Sequence, residues 1–271
     1  MSLAPSTSRR PSMVPTLAAR LVPYWVTVYR RTWRGSVVTS FLMPFLYLAA
    51  MGVGLGTFID DNGGPAALGG VTYLQYIAPG LLAITAFQTA IAEATYPVMG
   101  GFKWHRVYFS MAATPLQVAD IVGAQVAFIL LRIVVSCGFF TAILALYGAV
   151  GTWQAGLVLA VVILVGAAHA TPMIAITARM RSESGFALVF RLGVAPMALF
   201  SGAFFPVSEL PPVLAGLAHL TPIWHGVTLC RMITLGDWNT AVAAVSVAYL
   251  AGLCAVGWWL AVIGFGRRLA H

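Results

Sequence analysis

Charge is what this sequence has least of: 8% of its 271 residues are Asp, Glu, Lys or Arg, against 60% hydrophobic. A soluble domain carries about a quarter of its residues as charges, so a water-facing surface over the whole chain is excluded, and lipid is the solvent the composition fits. Lysine is almost missing, and the single Lys103 is followed by Trp104. The Gly-rich turn with Lys and Ser or Thr that cradles ATP phosphates is therefore absent. No HExxH or GxSxG motif occurs, and His105, His169, His219, His225 and His271 lack the paired spacing of a metal site. Hydrolase and metalloenzyme chemistry is disfavoured on those grounds, and no cofactor is expected on this chain. Cysteine is scarce and scattered (Cys137, Cys230, Cys254), which gives no disulfide framework and reads as packing. Short alternating apolar segments are missing too, which favours a helical bundle over a transmembrane β-barrel.

What is there is a series of long apolar runs; residues 139–173 contain no Asp, Glu, Lys or Arg. A bilayer core of about 30 Å takes roughly 20 such residues per helix. An all-α membrane protein with six transmembrane helices follows, at about 36–58, 73–99, 116–148, 154–178, 186–205 and 241–265. The first long run starts near Val37, behind a basic, Ser- and Pro-rich stretch, so no cleavable targeting peptide is expected. Kinks are expected at Pro44, Pro79, Pro97, Pro172 and Pro196, where the ring removes a backbone donor. Between helices five and six, from Pro206 to about His225, the chain stays apolar but irregular. That predicts a re-entrant or interfacial outer segment, whose broken backbone must be buried in protein or face water.

Twelve of the fifteen cations fall in four places: the N-terminal stretch (Arg9, Arg10, Arg20, Arg30, Arg31, Arg34), Lys103 with Arg106, Arg179 with Arg181, and Arg267 with Arg268. The loop after helix one offers Asp60 and Asp61 instead. By the positive-inside rule both termini are cytoplasmic. The net charge of +8 is thereby a topology signal, and no nucleic-acid partner is implied. Residues 1–35 form a cytoplasmic tail in which 13–34 mixes Leu17, Leu21, Trp25 and Val28 with arginines. It reads either as an interfacial amphipathic helix on membrane lipids or as a simple basic anchor. Residues 36–271 form the transmembrane domain.

Three ionisable residues fall inside the predicted spans: Glu93, Arg132 and Arg191. Such groups need partners or water. Glu93 and Arg191 sit at similar predicted depths, which suggests a contact between them, within one chain or across a dimer. No acidic residue is level with Arg132, which leaves Ile84, Thr85 and Gln88, backbone carbonyls or a hydrated cavity as its surroundings. Gly52 and Gly56 form a GxxxG, a weak signal in a chain with 27 glycines.

Two segments carry a family resemblance. YLQYIAPGLLAITAFQTAIAEATYPVMGGFKWHRVYFSMAATPL (73–116) and LFSGAFFPVSELPPVLAGLAHLTPIWHGVTLCR (199–231) are similar to the permease subunits of ABC type-2 exporters. The nodulation-type lipo-oligosaccharide exporters are nearest, followed by drug-export permeases. The specific part is small residues before Phe204, Phe205 and Pro206, then Leu210 and Pro211, then Pro222, His225 and Arg231. The resemblance implies a bacterial plasma-membrane half-transporter: two permease chains, identical or different, and two separate ATPase subunits that bind ATP and Mg. It also implies that the loop at about Gly100–Ala113 is a coupling helix, with Lys103, Trp104, His105, Arg106 and Tyr108 as contacts. The outer segment with Phe204, Phe205, Pro206, Glu209, Pro222 and His225 would gate release. Read from the residues alone, the basic aromatic loop fits either a partner's groove or anchorage at the lipid interface, and an ion-coupled transporter or channel stays open. Lipid, lipid-linked glycan and drug substrates all fit.

Overall fold

The computed structural model describes residues 48–63, 70–146 and 150–270, together with Thr27, Leu46 and Leu68. Among them there is no strand. A π-helical stretch, Leu48–Leu55, runs into α1 (Gly56–Asp61). Helices α2 (Tyr73–Ala94), α3 (Tyr96–Lys103), α4 (Val107–Ala112), α5 (Val118–Leu146) and α6 (Thr152–Arg179) follow. Then come α7 (Ser184–Leu188), a π-helical stretch Val189–Val194, α8 (Ala195–Leu199), α9 (Pro212–His219), α10 (Pro222–Leu235) and α11 (Thr240–Leu269).

Four stretches are long and apolar enough to cross a membrane: Tyr73–Lys103, Val118–Ala145, Trp153–Arg179 and Thr240–Leu269. The bent pair α9 and α10, at 82° to each other, makes a fifth if counted as one span. The four correspond to the spans expected at 73–99, 116–148, 154–178 and 241–265. The fifth expected span, 186–205, is the shorter apolar helix Ser184–Leu199. Most of the first expected span and the proposed interfacial helix at 13–34 lie outside the described residues. Helix α10 was not foreseen, although its signals are local: Thr221 Oγ1 accepts from Trp224 N, Pro222 opens the first turn, and Gly236 closes the helix at φ 79°.

The prolines act in different ways. Pro97 lies just past a break at Thr95 (φ −98°, ψ −98°) that separates α2 from α3. Pro196 follows the π-helical stretch 189–194, where widened turns accommodate the missing donor. Pro79 and Pro172 are held inside continuous helices. Pro44 lies outside the described residues.

Helix α6 is the centre of the bundle, packed against α2, α5, α10 and α11. Its crossing with α11 is close because Gly257 has no side chain. A Cβ there would lie 2.6 Å from Pro172 Cδ and N and from Thr171 Oγ1. Thr171 Oγ1 also donates across the crossing to Cys254 O at 3.1 Å. Small residues at this contact let the backbones approach, as in other membrane helix pairs.

Candidate functional site

The helix ends bring the scattered cations together. Arg268, at the end of α11, donates through Nη1 to Thr177 O (3.0 Å) and Ala178 O (3.3 Å), carbonyls left over at the end of α6. Its guanidinium stacks 4.2 Å from the Phe102 ring centroid, at the end of α3. Phe102, Tyr108 and Phe265 form an aromatic cluster beneath it, with centroids 4.6–5.0 Å apart. Lys103 Nζ meets Glu183 Oε2 at 2.8 Å, tying the α3 end to the start of α7. That hydrogen bond holds the Glu183 carboxyl below its usual range. Lys103, Arg106, Arg179 and the α11 end therefore share one end of the molecule.

The turn between α3 and α4 projects from this base. Trp104, His105 and Arg106 are exposed, Trp104 by 54%. Arg106 adopts a left-handed backbone (φ 50°), costly for a residue with a Cβ. Its guanidinium lies 5.1 Å from the Phe109 ring. Tyr108, expected among the outward contacts, is instead buried, its hydroxyl donating to Gln125 Oε1 at 3.0 Å. The apolar face of α4 holds it in the core, so it positions the turn rather than meeting a partner. Sequence reasoning took Arg268 only as a topology charge and missed its structural contacts; the aromatic Phe102 near another helix end was the available signal.

Deeper in the bundle, Arg132 Nη1 meets Glu93 Oε1 at 2.7 Å, joining α5 to α2. This corrects two expectations. Glu93 pairs within the chain with Arg132 rather than Arg191, and Arg132 does have an acidic residue level with it. The start of α5 at Val118 and the break at Thr95 set the register that brings the two side chains level. Arg191 stands exposed on the segment between α7 and α8.

At the opposite end, Asp60 Oδ1 accepts from Tyr73 N (2.9 Å) and caps α2. Nearby, the broken segment is held by Arg231 of α10. Its Nη2 donates to Gly202 O at 2.9 Å and to Tyr76 O at 3.4 Å, and its plane stacks 3.8 Å from the Tyr76 ring centroid. Gly202 has φ 78°, open to glycine at little cost. Of the residues expected here, Phe204, Phe205 and Pro206 are half-buried and Glu209 is exposed. Pro222 opens α10, and His225 is buried, with Nδ1 3.0 Å from Ser246 Oγ and its ring against Trp224 and Tyr249. Gln154 Nε2, in the first turn of α6, donates to Ile233 O, whereas Gly226 packs on Val165, further along α6. Helix α10 thus runs antiparallel to α6, from within the bundle to its end. Among the described residues no cluster of His, Cys, Asp or Glu could hold a metal ion.

The ABC-2 type transporter family model matches residues 22–235, a span that contains the projecting turn, the Glu93–Arg132 pair and the Arg231 clamp. The chain belongs to the ABC-2 type transporter family. Nodulation protein J of Rhizobium leguminosarum bv. trifolii is 30% identical over 219 residues, 78% of this chain and 81% of its own length. The same-named protein of Sinorhizobium fredii is 28% identical, over 85% and 87%. The inner membrane transport permease YadH of Escherichia coli is 24% identical over 90% of this chain and 98% of its own length. The family match and the transport permease among its relatives make this chain an ABC transporter permease.

Proposed function

We propose that this chain is the permease half of an ATP-driven exporter in a bacterial plasma membrane, moving an amphipathic substrate such as a lipid, a lipid-linked glycan or a drug outward. A separate ATPase subunit, with ATP and Mg, docks against Trp104, His105 and Arg106, and Lys103 holds their turn in place through Glu183. A second permease chain completes the path. The observation that carries this reading is the exposed turn itself: an indole and a guanidinium project from a braced aromatic base, the pattern of an interface anchor with a charged rim. Clustering of cations at that end supports cytoplasmic termini. On this reading six spans include the first apolar run, and α9 with α10 is the re-entrant outer segment. The Phe204–Pro206 turn, Glu209 and His225 gate release there. Transport by the assembled complex tests the proposal. Trp104→Ala combined with Arg106→Glu is expected to lower substrate-stimulated ATP hydrolysis roughly tenfold or more, in line with loss of an interface anchor, while the permease folds normally. Unchanged stimulation would remove the turn from the coupling path.

A further inference from the structure

Helices α6 and α11 run parallel, and their contacts advance in step: Thr171 with Cys254, Pro172 with Gly257, and Ala178 with Gly264, where a Cβ would lie 3.1 Å from the Ala178 Cβ. Past the last of these contacts each helix presents an exposed arginine, Arg179 on α6 and Arg267 on α11. Arg179 follows Ala178 by about 100° of helix rotation, and Arg267 follows Gly264 by about 60° in the reverse sense. On parallel helices that face each other these opposite turns lead to one side, so the two arginines flank the same groove. Arg268 turns to the other side, onto Phe102 and the aromatic base that carries the projecting turn.

The groove has cations but no carboxylate among the described residues. Of the seven Asp and Glu in the chain, Glu93 is held by Arg132, Glu183 by Lys103, and Asp120 is buried. The other four lie toward the opposite end of the molecule, by the loops that flank α2 and α11. Next to each arginine the same side of the helix is apolar. On α6 it continues to Ile176, 47% exposed, one turn away. On α11 it runs from Arg267 through Ile263 and Leu260 to Val256, 55% exposed, at the three- and four-residue steps that keep one face. From Arg267 to Val256 this face is about 16 Å long, close to half of a hydrocarbon core of about 30 Å. Paired guanidiniums at the end of one leaflet's depth of apolar surface match a molecule with an anionic head and a hydrocarbon tail. A free anion would gain nothing from the apolar face, and an acidic protein surface would reach the helix ends without it.

We propose that the groove between α6 and α11 binds an anionic phospholipid, with Arg179 and Arg267 donating to its phosphodiester and an acyl chain lying on Ile176, Ile263, Leu260 and Val256. The site goes beyond the exporter reading and needs no nucleotide, ATPase or transported substrate, so its test stands apart from that one. The purified chain in a neutral detergent is titrated with dioleoyl phosphatidylglycerol, dioleoyl phosphatidylcholine or glycerol 3-phosphate while its unfolding temperature is followed. A saturable rise with phosphatidylglycerol alone is expected. Arg179→Gln and Arg267→Gln should each weaken the apparent affinity about fivefold, and the double variant about thirtyfold. Both side chains are exposed, so the unliganded variants should unfold at the parent temperature. Arg181→Gln, which removes an exposed arginine on the turn beyond α6, should leave the affinity unchanged. An equal rise with phosphatidylcholine, or any rise with glycerol 3-phosphate, overturns the proposal. An affinity indifferent to the double substitution also overturns it, and with loss of a bound protein from that variant it gives the groove to a protein partner. A loss in Arg181→Gln equal to that of the double variant overturns it as well, leaving only the general attraction of a basic end for an anionic leaflet.

Discussion

At the residue scale, the Glu93–Arg132 ion pair joins α2 to α5 inside the bundle. Its side chains keep 12% and 20% exposure, so the pair is neither fully desolvated nor free in water. Removing one partner strands the other charge among apolar helices. Arg132→Leu is expected to destabilise the detergent-solubilised protein by about 1–3 kcal/mol, less than for a fully buried pair. The double variant with Glu93→Gln is expected to cost less than the sum of the two singles, the signature of direct coupling in a thermal-unfolding cycle. Strict additivity would mean that the contact contributes nothing. At the basic end the Lys103–Glu183 tie has a defined pH dependence. A carboxyl whose folded pKa lies below its unfolded value contributes stability fully above the unfolded pKa and loses it as pH falls through the folded one. The lowered Glu183 pKa thus predicts a tie intact at neutral pH and through mild acid, released only below the usual carboxylate range. Ala substitution at Glu183 should change protease sensitivity of the 103–106 turn at neutral pH and have no effect in strong acid.

Among the elements, α6 and α11 make the crossing least tolerant of change. Gly257→Val places a branched side chain where even a Cβ would meet Pro172 and Thr171 at 2.6 Å. Overpacking of this kind costs about 1–3 kcal/mol, visible as a lowered unfolding temperature in detergent. Gly252, with open space around it, should accept alanine without loss. The clamp on the broken segment offers a sharper contrast. Arg231→Lys keeps the charge but loses the planar stack on Tyr76 and the reach to two carbonyls. Transport should fall while assembly and membrane insertion persist, measured by substrate efflux beside quantitative recovery of the chain. How legible these elements were depended on where their information lies. Spans at 73–99, 154–178 and 241–265 could be read directly because an apolar run against lipid is a one-dimensional signal. The Thr95 break, the π-helical turns before Pro196 and helix α10 depend on which backbone groups find partners across the bundle: Thr177 Oγ1 donating to Ala94 O at the break is 83 residues away in the chain. Local stop and start signals at Thr221, Pro222 and Gly236 were present but submerged in an unbroken apolar composition.

At the scale of the whole molecule, the family to which the chain belongs makes it a transporter permease, and the proposed ATPase partner is what would energise it. The candidate site was partly readable. Aromatic and basic residues around Lys103 stand out in a chain so poor in charge, yet burial sorts them: Trp104, His105 and Arg106 face outward, while Tyr108 turns into the core. Register between distant helices was not readable, which is why Glu93 was matched with Arg191 and not with Arg132. The decisive measurement is recovery of the tagged chain from its native membrane in mild detergent, with mass spectrometry of the proteins bound to it. A stoichiometric partner carrying a phosphate-binding loop, lost when Trp104→Ala and Arg106→Glu are combined, is the expected result. Repeated recovery of the folded chain with no nucleotide-binding partner would contradict the ATP-driven reading and leave an ion-coupled transporter or channel in its place.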